Sequence, residues 1–186
     1  MRGPLLAVAL AVAVAVPFAA FGGSDRADLA LVLALDVSGS VDDNRFKLQR
    51  EGIAAALESE ELAAAVSMGV NRTIEVAVIE WAEEQRLVVP WSVLRGRSDL
   101  TALASRVRGA GRSWVHTMTD PSGGIAAADN LFAAEPVPAD RRVIDVSGDG
   151  RQNTGELGTA EARDAAVSHA VTVNGLPITC GDEPEL

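Results

Sequence analysis

The chain alternates unbroken apolar runs with amphipathic stretches, the pattern of buried strands interleaved with covering helices. Leu29 to Leu35 is such a run and predicts a strand buried on both faces. Asp42-Asp43-Asn44 opens a predicted helix to about Leu57, with acids at its positive end and Phe46, Ile53 and Leu57 on an apolar stripe. Glu58 to Val66 extends it or forms a second short helix. Thr73 to Ala82 reads as a strand with Ile74, Val76 and Val78 on one face. Gln85 to Val89 pairs with it antiparallel through a Glu83-Glu84 turn, as an edge strand that stops at Pro90.

Further along, Ser98-Asp99 starts a helix to about Val107, and a loop runs from Gly109 to Pro121. Pro121, after Asp120 or Thr119 as cap, starts a helix through Phe132. Pro136 and Pro138 make a connector, Arg141 to Val146 a short apolar strand, Glu156 to Ala170 a helix and Val171 to Ile178 a last strand. Alternating strands and helices of this kind predict an α/β fold. Trp81 and Trp91 read as packing residues at the sheet margin.

Chemistry gathers where the first strand ends. Asp36, Ser38 and Ser40 alternate beyond it, offering one carboxylate and two hydroxyls where open α/β sheets place their ligands. These are hard oxygen donors, suited to a small divalent cation such as Mg²⁺, with Mn²⁺ or Ca²⁺ as alternatives, and not to zinc. Taken alone, the pentapeptide also reads as a plain turn, with Ser40 or Asp42 capping the helix. A second acidic loop supports the metal reading: Asp149 lies between Gly148 and Gly150, which free the backbone to turn its carboxylate inward, and Asn153 is placed to help hold it. Asp145, a carboxylate inside a strand, must be paired or point toward the site. Glu80 is either an acid behind the ligands or a solvated turn residue. Asp42 and Asp43 read as helix-start acids and His116 as a polar loop residue.

Val-Leu-Ala-Leu-Asp36-Val-Ser38-Gly-Ser40-Val resembles the first segment of the metal-ion-dependent adhesion site of von Willebrand factor type A (vWA) domains, and Val143-Ile-Asp-Val-Ser-Gly-Asp149-Gly150 resembles the segment bearing its second aspartate. The wording Ile-Asp-Val-Ser-Gly-Asp-Gly-Arg-Gln-Asn, with Ile79-Glu80-Trp81 and Val173-Asn174-Gly175-Leu176-Pro177-Ile178, is similar to a bacterial exported branch, the DUF1194 type. The resemblance implies a Rossmann-like, doubly wound, mainly parallel sheet with one antiparallel edge strand. It implies a metal set of Asp36, Ser38, Ser40, Thr119 and Asp149, with Thr117 competing for the threonine role, because Asp120-Pro121-Ser122 dilutes the family's compact pattern. It also implies a C-terminally incomplete domain: a helix, a strand and a closing helix expected after Ile178 are not in the sequence, so the chain is either a truncated or frame-disrupted relative or one whose exposed sheet edge another protein covers.

Length and charge narrow the function. Of 186 residues, Met1 to about Gly23 carries Arg2, an apolar run from Leu5 to Val16, then Pro17 and small residues, a signal-peptide pattern. Residues 24–186 then suit one domain. The expected location is periplasmic or secreted, with no stable membrane span after cleavage. A net charge of -10 without a basic stripe excludes nucleic acid. Cys180 is the one cysteine and makes no metal or redox motif. The expected function is a non-catalytic binding module whose Mg²⁺ is completed by an acidic side chain of a protein partner. The alternatives are a Mg²⁺-dependent hydrolase or phosphoryl-transfer enzyme using Asp36, or a degenerate fragment that binds nothing.

Overall fold

A computed structural model describes residues 26–113 and 118–178. The elements run β1 (Leu29–Asp36), α1 (Asp43–Leu57), α2 (Glu60–Met68), β2 (Ile74–Trp81), β3 (Gln85–Leu94), α3 (Arg97–Gly109), α4 (Pro121–Leu131), β4 (Arg142–Gly148), α5 (Thr159–Ser168) and β5 (Val171–Pro177). They form one sheet in the order β3-β2-β1-β4-β5, parallel throughout except for antiparallel β3. The doubly wound sheet with one antiparallel edge strand is therefore as expected. β1 is central, and the chain leaves it toward β2 on one side and returns to β4 on the other. The crevice created by that reversal opens at the C-terminal end of β1, beyond Asp36.

Two apolar layers sandwich the sheet. Ala30, Val32, Ala34, Ile79 and Trp81 face Ile125 and Ala128 of α4 and Ala162 and Ala166 of α5. On the opposite face Leu33, Leu35, Val76 and Val78 meet Ala54 and Leu57 of α1, Val66 of α2 and Leu100, Leu103 and Val107 of α3. Each buried Val, Leu or Ile side chain contributes about 1.5–3 kcal/mol of transfer free energy, so this double layer is what holds β1 in place.

Several boundaries differ from the sequence reading for identifiable reasons. The helical stretch after Leu57 breaks because Ser59 caps a new helix, accepting a hydrogen bond from the N–H of Leu62 (3.1 Å). β3 does not stop at Pro90 but runs to Leu94. Its register slips between Val76 and Val78, so Pro90 sits in a bulge on an edge strand, where its missing N–H breaks no ladder. α5 starts at Thr159 because the preceding residues serve the site loop, and the Oε1 of Gln152 receives the Thr159 N–H (2.9 Å). Trp81 is not marginal: it is 1 % exposed, and a Cβ on Gly124 would lie 2.8 Å from its Cγ. Helix α4 can approach the indole this closely only with glycine there. Trp91 does pack at the margin, against Phe132, and donates to the carbonyl of Leu131 (3.1 Å).

β4 and β5 are covered differently from β1 and β2. On the α1 side a groove of about 340 Å³ opens between Leu48, Gly52 and Ile53 of α1 and Asp145, Ser147, Leu176 and Pro177 of the two strands. Leu48 and Leu176 are exposed there.

Candidate functional site

The site is built from β1 outward. Asp36 is the last residue of the strand and faces the α4 side with Val32 and Ala34. It is completely buried. Its Oδ1 accepts the N–H of Ser38 (2.7 Å), which folds the chain back sharply, while Oδ2 is buried with no hydrogen-bond partner. Burial pushes this carboxyl above its ordinary range; the hydrogen bonds from Ser38 and, least, the nearby backbone N–H of Asp149 pull the other way, while the charge of Asp149 adds to the rise. A buried, partnerless carboxylate oxygen is costly unless something positive meets it.

Hydroxyls and a second acid lie beyond the end of the strand. Ser38 Oγ and Ser40 Oγ lie 3.2 Å apart, and Ser40 Oγ donates to Asp149 Oδ1 (2.5 Å). A Cβ placed on Gly148 would meet Asp36 Oδ2 at 3.0 Å, so the β4 backbone passes directly against the carboxylate. A Cβ on Gly150 would have Ser40 Oγ at 3.6 Å and Thr119 Oγ1 at 4.0 Å, so the loops carrying these two residues both come up to Gly150. Thr119 is buried and held in place at both backbone ends: its N–H donates to Asn153 Oδ1 (2.7 Å) and its carbonyl accepts the N–H of Asn153 (3.0 Å). Thus Asp36, Ser38, Ser40, Thr119 and Asp149 meet at one end of the sheet. Among the described residues no three of His, Cys, Asp and Glu cluster. The donor set is two carboxylates and three hydroxyls, a composition that fits a hard divalent cation, and the partnerless Asp36 Oδ2 is the oxygen such an ion would satisfy.

Other sequence candidates take different roles. Asp42 is the α1 cap, accepting the N–H of Arg45 (2.8 Å), and Asp43 is exposed in the first turn. Asn153 does act on the site, through Thr119 and not through Asp149. Glu80 is buried, and its Oε2 accepts the N–H of Ser113 (2.8 Å), so it anchors the loop leading to Thr119. Asp145 does not point to the site. Register places it beside Leu33, on the face opposite Asp36, where its Oδ1 accepts from Asn174 Nδ2 (2.8 Å). Of the two outcomes its position allowed, it is paired. Thr117 and His116 lie outside the described residues, as do Cys180 and residues 1–23, where the sequence predicts a signal segment.

Three residues that the sequence did not single out shape the loop. Gln49 spans the reversal point: its Nε2 donates to the Asp36 carbonyl (3.0 Å) and its Oε1 accepts from Ser147 Oγ (2.7 Å). Its signal was a polar residue on the α1 stripe between Phe46 and Ile53. Arg112 converges on the first loop, one Nη2 donating to the carbonyls of Val37 (2.9 Å), Ser38 (3.0 Å) and Val41 (2.7 Å), with its guanidinium 5.5 Å from the Phe46 ring centre. Arg45 pairs with Asp149 Oδ2 (3.0 Å) and donates to the Ser40 carbonyl (2.9 Å). Its signal was a cation in the first turn of a helix, where the helix dipole disfavours it.

The family model described as "Protein of unknown function (DUF1194)" matches residues 26–186. The chain belongs to this family. No curated protein matches it. Among solved structures, proximal thread matrix protein 1 of the mussel byssus aligns with a TM-score of 0.64 at 14% identity, over 80% of the DUF1194 chain and 37% of its own. A form of that protein described with a zinc-occupied MIDAS motif gives 0.63 at 15% identity over the same shares. An aerotolerance-related membrane protein from Bacteroides fragilis gives 0.61 at 19% identity, over 84% and 75%. The DUF1194 chain thus spans little more than a third of the byssus protein. At these identities the likeness is one of fold, and that fold is the vWA type. Among the described residues no helix is long and apolar enough to cross a membrane.

Proposed function

We propose that this DUF1194 protein is an exported, non-catalytic binding module that holds Mg²⁺ through Asp36, Ser38, Ser40, Thr119 and Asp149, directly or through water, and captures a carboxylate of a protein partner. Mn²⁺ and Ca²⁺ are the alternative ions. The observation that carries the reading is the buried Asp36 Oδ2, left without a hydrogen bond at the sheet end where Ser38, Ser40 and Asp149 are linked to one another. The bound ion would supply positive charge. The chain's own residues do the rest: Ser38 N–H fixes the Asp36 carboxyl, Asn153 fixes Thr119, and Gln49 ties the end of β1 to β4.

Hydroxyls are neutral donors, so where Asp36 or Asp149 acts through water and not directly, the ion keeps part of its charge and attracts a further acid. The zinc-occupied MIDAS of the byssus protein is a precedent for metal on this fold. Thermal unfolding in Mg²⁺ and in chelator tests the proposal, with a glutamate-bearing peptide as probe for the second step. A higher midpoint in Mg²⁺, and peptide binding that chelator removes, are expected. An unchanged midpoint rejects the metal site. Hydrolysis of a generic phosphate ester that Asp36→Asn abolishes would replace the binding module with the enzyme reading.

A further inference from the structure

We propose that Arg45 is a tethered cation that competes with the divalent ion for Asp149, so that the ion gains this ligand only by taking it from the guanidinium. The inference rests on the metal reading above. Asp149 has both oxygens engaged: Oδ1 by the Ser40 hydroxyl at 2.5 Å and Oδ2 by Arg45 Nη1 at 3.0 Å. The same Nη1 also holds the Ser40 carbonyl at 2.9 Å, so one group pins two members of the ligand set.

The location of Arg45 supports competition over mere support. It is the third residue of α1, where the helix's positive end works against a cation, and the Asp149 side chain it pairs with is only 3 % exposed. A guanidinium held there offsets the charge of the buried acid when no ion is bound. A divalent cation arriving among the hydroxyls would feel the fixed positive charge of Arg45 beside it. Both cations would draw on the same carboxylate. Arg45 therefore lowers the site's affinity for metal and keeps the ligand loops ordered without it.

Titration calorimetry with MgCl₂ on the wild type, Arg45→Gln, Arg45→Met and Arg45→Lys tests this, with circular dichroism melts in chelator to check that each variant folds. Arg45→Gln and Arg45→Met are expected to bind Mg²⁺ about two- to fivefold more tightly than the wild type, the scale of losing one partly exposed ion pair. Arg45→Lys, which keeps the charge, should stay near the wild type. Equal or weaker Mg²⁺ binding by the folded neutral variants overturns the competition and leaves Arg45 as a residue that positions Asp149, with the metal site intact. Absence of Mg²⁺ binding from the wild type and the neutral variants alike rejects the metal site itself, and the inference with it.

Discussion

Two acids are buried at opposite ends of this sheet, alike in themselves and different in their surroundings. Asp36 closes β1 at the C-terminal edge; Glu75 stands near the start of β2. Both are 0 % exposed. Each spends one oxygen on a backbone N–H, Asp36 on Ser38 (2.7 Å) and Glu75 on Val137 (2.9 Å), and each leaves the other oxygen unpartnered. Burial raises the pKa of both, helped by a neighbouring acid, Asp149 in one case and Glu135 in the other. What separates them is the company. Around Asp36 the hydroxyls of Ser38 and Ser40 and a second carboxylate converge. The acid nearest Glu75 is already held by Arg142, whose Nε donates to Glu135 Oε2 (2.9 Å). A perturbed, buried carboxyl is thus not a site by itself; the donor set around it is.

The largest effect should come from exchanging the two acids one at a time. Asp36→Ala is expected to abolish the rise in melting temperature on adding Mg²⁺. At an ion concentration of a hundred times Kd that rise represents about 2.7 kcal/mol, several degrees for a domain of this size. Glu75→Gln should leave the Mg²⁺ effect whole. Parallel melts of both variants in Mg²⁺ and in chelator decide it, and an equal loss in the two would erase the distinction between the ends of the sheet.

A smaller change is expected from Asn153→Ala, which removes the acceptor for the Thr119 N–H while leaving all five proposed ligands in the chain. Groups that orient ligands commonly contribute 10–100-fold in metal affinity, so a loss of about tenfold is expected in a Mg²⁺ titration, with little change in the chelator melt. No comparable support exists to be removed around Glu75 with any metal readout. If Asn153→Ala titrates like the wild type, Thr119 is held well enough by its neighbours, and the site's organisation is more local than its hydrogen bonds suggest.

How much of this was legible beforehand follows from where the contacts lie. Asp36, Ser38 and Ser40 are adjacent in sequence after a strand that announces itself, and Asp149 stands between two glycines after another. Thr119 came only through resemblance, because a loop threonine has no pattern of its own. Arg45, Gln49 and Arg112 act on backbone carbonyls or on residues up to 104 positions away, distances that no local spacing encodes. Pro90 was read as a strand end because a bulge is defined by the partner strand, not by the proline. Trp81 looked marginal because its cover is Gly124 of α4, a residue with no side chain to betray the contact. Asp145 is sorted only by the register between strands: beside Leu33, it faces away from Asp36.

The finest discrimination between the two acids is the dependence of stability on pH. Both carboxyls bind a proton more tightly folded than unfolded, so without metal each costs nothing below its ordinary pKa of 3.8 for Asp36 or 4.5 for Glu75. As pH rises from there through the raised folded value, each penalises the folded state increasingly, then constantly. Glu75→Gln should therefore gain stability relative to the wild type over that interval, with or without Mg²⁺. For Asp36 the ion inverts the sign, because Mg²⁺ binds the carboxylate and competes with its proton. In saturating Mg²⁺ the metal-dependent stability should be full at neutral pH and fade as acid protonates Asp36. Urea midpoints for the wild type and Glu75→Gln between about pH 4 and 8, in Mg²⁺ and in chelator, measure both slopes. A Mg²⁺ contribution that stays constant down to pH 4 would mean that the ion binds without Asp36, and that the buried oxygen at the end of β1 is as inert as the one on Glu75.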